Sequence, residues 1–353
     1  MAHSKSPIWQ KKRQNKFKKT KKEVAVKKAA VVKQEESRRV KIKAWLRTHD
    51  SDMQLILFPL ILLSILITLV IFNNHILLAS AQQKPVISDQ LTTINPYPYV
   101  RVANMPALSA KAAIILDRDS QVILFSKNPQ VRFSMASTTK IMTALIALNY
   151  YKPNDILTVK RSYVPGSGLH LYAGEQFTFK DILYAMLLPS ANDAAQAIAD
   201  NYPGGSSAFV KKMNEKAKSL HLTNTHYGDP TGLDDDGDYT TVVDLAHLAS
   251  YAITNPTFVK VTSTKQKTIY TSNFGVQYQL TNLNKLLGID GVTGIKTGTT
   301  EAAGEVLVTS MKKNGHTYII IVMDSAHRFA DTEKLLQYID TNVKYILPQQ
   351  PVH

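Results

Sequence analysis

Hydrophobic and polar positions alternate with different periods in different parts of this chain. Two short apolar runs, "AAIILD" (112–117) and "QVILFS" (121–126), flank the turn-prone "RDS" and predict a hairpin. From 137 to 150, Ile141, Leu145 and Leu148 recur at helical spacing behind the hydroxyl-rich opening "STT". Residues 180–188, 191–201, 207–219 and 240–253 predict further helices, mostly separated by Pro, Gly or Asn. The texture then changes to strand-like segments: "KQKTIYT", "VQYQLTN", "GVTGIKTG", "GEVLVTSM" and "HTYIIIVM". An amphipathic helix, "ADTEKLLQYIDTNVKYIL", closes the pattern. Strands at both ends with helices between predict an α+β, three-layer fold. An antiparallel sheet would be flanked by helices, with a helical cluster inserted in the middle of the sequence.

Ahead of this patterned body the chain reads differently. Leu55 to Phe72, "LILFPLILLSILITLVIF", is 18 residues without a charge. As a helix it would measure about 27 Å, close to the roughly 30 Å hydrocarbon core of a bilayer. The expected organisation is a basic disordered cytoplasmic tail (1–52), a transmembrane signal anchor (53–79) and an extended linker (80–106). A single patterned domain (107–348) and a short tail (349–353) follow. The linker expectation rests on four prolines and no clear period between 82 and 106. A small-x-small site, "ASA" at 79–81, also permits cleavage after Ala81.

Charge decides the orientation and removes one class of partner. The 353 residues carry a formal net charge of +15, but residues 1–50 hold 17 Lys and Arg against 4 Asp and Glu. Residues 51–353 hold 25 against 23, so the body is nearly neutral and no specific nucleic-acid partner is expected. The basic side of the apolar run stays in the cytoplasm, which puts the patterned domain that follows outside the membrane. With no cysteine, thiol catalysis, disulfides and cysteine metal sites are excluded. None of the ten histidines shows metal-ligand spacing, and neither metal nor cofactor is expected.

Three short motifs carry candidate chemistry. In "RFSMASTTKIMTALIAL" (132–148), Ser137 and Lys140 lie three apart at a predicted helix start, where i and i+3 share a face. On this pair alone Ser137 reads first as a helix cap, with a nucleophile beside a base as the alternative. A second pair at that spacing, Ser310 and Lys313, lies on a predicted strand, where a separation of three points side chains to opposite faces. For Lys140 to act as a base its pKa must fall, by burial or by a nearby cation. Lys296, in "GVTGIKTGTT" (291–300), supplies such a cation within Lys296-Thr297-Gly298. "LLPSANDAA" offers Ser190 and Asn192, a hydroxyl and an amide two residues apart, also readable as helix caps. A rival "SKN" occupies 126–128.

Together these motifs resemble those of penicillin-binding proteins and β-lactamases in order and rough spacing. Longer blocks extend the likeness: "LLPSANDAAQAIAD", "TGLDDDGDYTTVVDLAHLA", "NPTFVKVTS" and "TNLNKLLGIDGVTGIKTGTTEAAG" resemble the serine-type D-Ala-D-Ala carboxypeptidases, the low-molecular-mass penicillin-binding proteins. The resemblance covers about Ala107 to Leu347. It implies a β-lactamase/transpeptidase-like fold, a peptidoglycan stem peptide ending in D-Ala-D-Ala as substrate, and β-lactams as inhibitors. It further implies Ser137 as nucleophile, Lys140 as its base, Ser190 as proton relay and Asn192 as a substrate-amide contact. Lys296, with Thr297 and Gly298, would meet the substrate carboxylate and help depress the pKa of Lys140. The N–H groups of Ser137 and Thr299 would form the oxyanion hole, and Arg328 would lie near the carboxylate.

Three alternatives share these motifs: a DD-endopeptidase acting on crosslinks, a β-lactamase and a non-catalytic penicillin-binding module. A β-lactamase of the related class needs a glutamate between the second and third motifs. The sole glutamate there, Glu215, reads as an exposed helical position. A binding module would require a broken motif, and all three are intact. "DDDGD" (234–238) resembles a calcium loop but lacks alternating ligands and the bidentate glutamate, so it reads as a solvated loop. "PGSGLH" (165–170) resembles a nucleophile elbow, but Pro165 stands where glycine is required.

Overall fold

Period-two strands sort their side chains to two faces, and here each face meets its own helical layer. In the computed structural model, residues 35–44, 60, 62–72, 97–101, 105–162, 164–233 and 237–346 are described. Strands β1 (Tyr97–Val100), β2 (Ala112–Asp117) and β3 (Ile123–Lys127) open the body. A 3-10 turn, Ala136–Thr139, runs into helix α1 (Lys140–Tyr150). The small hairpin β4 (Ile156–Thr158) with β5 (Gln176–Thr178) precedes α2 (Phe179–Leu187), α3 (Asn192–Asn201), α4 (Gly205–Ser219), α5 (Val242–Ala252) and α6 (Pro256–Thr262). Strands β6 (Gln266–Tyr270), β7 (Gln277–Thr281), β8 (Val292–Thr300), β9 (Gly304–Lys313) and β10 (His316–Ser325) follow. Helix α7 (Arg328–Asn342) and β11 (Val343–Ile346) complete the described chain.

The central sheet is antiparallel, in the order β3-β2-β10-β9-β8. On one face Ile114, Leu116, Val306, Val308, Ile319 and Ile321 join the helical cluster of α1, α2, α3 and α5. On the other, Ala113, Ile115, Leu307, Ile320 and Val322 pack with Leu335, Leu336 and Ile339 of α7. This is the expected three-layer build. Helix α1 is buried from Lys140 through Ala147, so its start is held rigidly at the centre of the larger core.

The expected hairpin is β2 paired with β3, and the five predicted strand segments match β6 to β10. Two boundary expectations fail together. The linker was expected to be extended and unpaired through 106, yet Tyr97–Val100 pairs antiparallel with Val343–Ile346, the stretch expected to end the last helix. Val343 and Ile346 keep a helical period with Ile339, which hides the strand in the pattern. Their β-branched character and the backbone partners that β1 offers decide for sheet. Helix α6 and the β4–β5 hairpin, both short, were not anticipated.

Buried carboxylates fasten the layers. Asp331, 1% exposed at the start of α7, accepts from the N–H groups of Ser109 (3.0 Å) and Ala110 (2.7 Å) and from the hydroxyls of Ser109 (2.6 Å) and Ser325 (2.8 Å). Burial alone would push its carboxyl up. The four hydrogen bonds outweigh that and hold it below its ordinary value. Replacing Asp331 by Ala strands the buried N–H of Ala110 and takes a partner from the buried hydroxyl of Ser325, and denaturant unfolding should show a loss of about 1–3 kcal/mol. An unchanged unfolding midpoint would contradict this role.

The chain divides into two compact units at Thr92 and Thr93. In the first, residues 35–44 are helical and exposed, correcting part of the disordered-tail expectation. Glu35 stands four residues before Arg39, a pairing that favours a helix. Leu60 and residues 62–72 are also helical and exposed, while the rest of the 55–72 run lies outside the described residues. Among the described residues no helix is long and apolar enough to cross a membrane. Most of the 80–106 linker, the 1–34 tail and the 349–353 tail likewise lie outside them.

Candidate active site

The first motif sits where the helical cluster meets the sheet. Ala136 takes a positive φ of 47° and opens the 3-10 turn, leaving Ser137 half-buried above Lys140. Two glycines permit the close approach of neighbouring segments. A Cβ on Gly232 (φ +79°) would lie 1.9 Å from the Ala136 carbonyl oxygen. A Cβ on Gly298 would lie 3.0 Å from that of Ala136 and 3.2 Å from the Ser137 nitrogen. The strand edge carrying Lys296-Thr297-Gly298 is therefore pressed against the turn that carries Ser137.

Lys140 is fully buried, and its Nζ has three partners: Ser137 Oγ at 2.8 Å, Asn192 Oδ1 at 2.6 Å and the Thr231 carbonyl at 2.6 Å. The Asn192 Nδ2 donates to the Pro165 carbonyl at 2.8 Å, which fixes the amide with Oδ1 toward the lysine. Two of the three partners can only accept. A neutral amine has two N–H donors and one lone pair, so it donates to Asn192 and Thr231 and offers the lone pair to the Ser137 O–H. Burial lowers the Lys140 pKa from 10.5 to about 7, against the opposing pull of Asp229 and Asp193.

Lys296 is also buried, on β8, and donates to the Thr297 carbonyl at 2.8 Å. Burial first, then Lys140 and Arg328, push its pKa well down. The expectation that Lys296 depresses Lys140 needs correction in emphasis, because burial is what lowers Lys140. Arg328, half-buried at the start of α7, donates to the Gly298 carbonyl at 2.8 Å and to Thr299 Oγ1. Its backbone N–H donates to Glu305 at 2.9 Å, and its buried Nε has no partner among the described residues. Ser190 joins α2 to α3 at φ +66°, and its buried Oγ likewise lacks a partner among the described residues. Ser137, Asn192 and Thr299 line a cleft of about 500 Å³ with Pro165, Gly166, Ser167, Gly232, Leu233 and Thr300.

The rival pairs are employed elsewhere. Ser310 Oγ shares a 2.7 Å hydrogen bond with Thr293, and Lys313 pairs with Asp340. In the "SKN" of the hairpin, Lys127 donates to the Ala110 carbonyl (2.7 Å) and Asn128 to that of Lys111 (2.8 Å). Glu215 is exposed and pairs with Lys212 at 2.9 Å. Sequence reasoning missed the Thr231 carbonyl, since any residue supplies one, and it set aside the "PGSG" loop that walls the cleft and holds Asn192. The reading of "DDDGD" as solvated fails at Asp238, which is buried and accepts from the Gly228 N–H; 234–236 lie outside the described residues.

Comparison with solved structures puts this build among the penicillin-binding serine peptidases. The crystal structure of the Streptomyces K15 DD-transpeptidase superposes with a TM-score of 0.64 at 32% identity, covering 67% of this chain and 98% of that one. More narrowly, the chain belongs to the D-alanyl-D-alanine carboxypeptidase family, whose model matches residues 99–327. It is 34% identical over 243 residues to D-alanyl-D-alanine carboxypeptidase DacF of Bacillus subtilis, covering 66% of this chain and 62% of that protein. It is 33% identical over 248 residues to the D-alanyl-D-alanine endopeptidase of Escherichia coli, covering 68% and 80%. The D-alanyl-D-alanine carboxypeptidase of Streptomyces sp. K15 is 33% identical over 255 residues, with 66% and 88% covered.

Proposed function

We propose that the chain is a serine DD-carboxypeptidase that removes the terminal D-Ala from peptidoglycan stem peptides through an acyl-serine intermediate. The observation that carries this reading is the Lys140 amine, buried and within 2.8 Å of Ser137 Oγ, with its two N–H groups already engaged. Ser137 Oγ attacks the carbonyl carbon of the penultimate D-Ala while its proton passes to Lys140 Nζ. The N–H groups of Ser137 and Thr299 receive the oxyanion. As the C–N bond breaks, the departing D-Ala nitrogen takes a proton through Ser190 Oγ, whose unpartnered state leaves it available for that transfer. Water then attacks the ester, with Lys140 as base again, and frees Ser137.

Asn192 meets the substrate amide, and Lys296, Thr297, Gly298 and Arg328 receive the terminal carboxylate. Arg328→Leu should lower kcat/KM for a D-Ala-D-Ala peptide by roughly 10- to 100-fold, as expected for a lost charge-assisted hydrogen bond. Steady-state release assays check this, and an unchanged value would remove Arg328 from the site. β-Lactams would acylate the same serine.

Residues 55–72 would anchor the protein, with the catalytic domain extracytoplasmic, supported by 18 uncharged residues behind a Lys/Arg-rich segment. Cleavage after Ala81 is the competing outcome, read from the mass of the membrane-bound and released protein.

Relatives at nearly equal identity are named for carboxypeptidase and for endopeptidase activity. The deciding experiment offers a pentapeptide ending in D-Ala-D-Ala and, separately, a crosslinked stem-peptide dimer. Release of D-Ala from the first is the expected result. Cleavage of the dimer alone would assign the endopeptidase reading, rapid penicillin turnover would assign a β-lactamase, and penicillin labelling without peptide turnover a binding module.

A further inference from the structure

The third partner of the buried amine comes from the loop between α4 and α5, and that loop is tied by one side chain. Asp229 Oδ1 accepts from the Thr231 N–H, from Thr231 Oγ1 at 2.6 Å and from the Gly232 N–H at 2.9 Å. The knot turns the Thr231 carbonyl toward Lys140 Nζ, 2.6 Å away. It also seats Gly232 against the Ala136 carbonyl, the backbone just before Ser137. The Pro230 carbonyl inside the knot is held by Thr143 Oγ1 of α1 at 2.7 Å, so the loop is fastened to the helix that carries the lysine.

We propose that Asp229 is a positioning residue for the general base: it fixes the Thr231 carbonyl that claims one amine N–H, and thereby aims the lone pair at Ser137. This inference rests on the reading of Lys140 as the base. Without the knot Thr143 still holds the Pro230 carbonyl, but the Thr231 carbonyl loses the bonds that orient it, and the lone pair is no longer directed.

Electrostatics supplies a second, separable readout. The charged groups that face Lys140 are Asp229 from this loop, Asp193 from α3 and Lys296 from β8, with Arg328 behind Lys296. Asp193 is anchored elsewhere, accepting from the N–H groups of Leu169 (2.9 Å) and Leu171 (3.1 Å). The Asp229 carboxylate favours the ammonium form of Lys140. Removing its charge should leave the amine neutral at lower pH.

The test compares wild type, Asp229→Asn and Asp229→Ala in the full chain. It follows acylation by a fluorescent penicillin and D-Ala release as functions of pH, well below the unfolding temperature of each variant. Asp229→Asn keeps an Oδ1 acceptor for the knot. It should retain most of kcat at high pH while the rising limb of the acylation profile moves down by about half a pH unit or more. Asp229→Ala should lose roughly 10- to 100-fold in kcat with little change in KM.

A wild-type midpoint in Asp229→Asn together with unchanged kcat in Asp229→Ala would overturn the proposal. A purely structural role would lower the unfolding temperature and leave the pH midpoint where it was, and it too would overturn it. Failure of the underlying reading is distinguishable, because the wild type would then lack a rising limb that disappears in Lys140→Met.

Discussion

Ser137→Ala is expected to abolish covalent labelling by penicillin and to lower D-Ala release by roughly 10⁴-fold or more, with the fold intact. The side chain is half-buried and opens on the cleft, so its removal leaves no void in the core. What it removes is the one covalent bond that the proposed mechanism forms between substrate and protein. The hydroxyl sits three residues before Lys140, in a turn clamped by Gly298 on one side and Gly232 on the other. No other hydroxyl touches Lys140 Nζ among the described residues. Ser310, the other serine at that spacing, is bonded to Thr293, so it gives no residual labelling. Stopped-flow or gel-based labelling measures the effect, and an undiminished acylation rate would sink the assignment.

Lys140→Met carries the second large effect. Methionine fills nearly the same volume but cannot take a proton, so acylation should fall by roughly 10²- to 10⁴-fold. Its pH dependence should change as well. The buried lysine loses its proton at about 7, so wild-type acylation should rise with pH through that value. In the methionine variant the limb should vanish. Stability follows with a definite sign. The folded pKa lies below the unfolded value of 10.5, so between about 7 and 10.5 the unfolded chain binds more protons than the folded one. Wild-type stability from this group is therefore full above the unfolded value and declines as pH falls toward 7. The methionine variant should lose that slope, which denaturant unfolding across pH 7 to 10 would detect.

Some of this was legible in the residues. Short apolar and strand-like runs identified the strands of the central sheet, and the spacing of Ser137 and Lys140 on a helix start separated that pair from Ser310 and Lys313 on a strand. The further groups that the pair demanded lie beside it in the fold: Asn192 bonds Lys140 directly and Lys296 lies in the same buried cluster. The reason given for Lys296 was incomplete, because burial lowers the Lys140 pKa before any neighbour acts. Burial of a single lysine is a tertiary property with no local signature. The Thr231 carbonyl and the Asp229 knot were invisible for a related reason: a backbone oxygen has no residue type, and an aspartate in a Pro-Thr-Gly turn looks like ordinary loop chemistry. The β1–β11 pair escaped because pairing of strands about 245 residues apart is set by the fold and not by either segment.

The central claim is that Ser137 is the residue that becomes acylated. Its most direct test is the mass of the protein after brief exposure to penicillin, followed by proteolytic mapping of the adduct. One penicilloyl group on the peptide containing Ser137, absent in Ser137→Ala, is the predicted result. An adduct on any other peptide, or one that persists in Ser137→Ala, would contradict it.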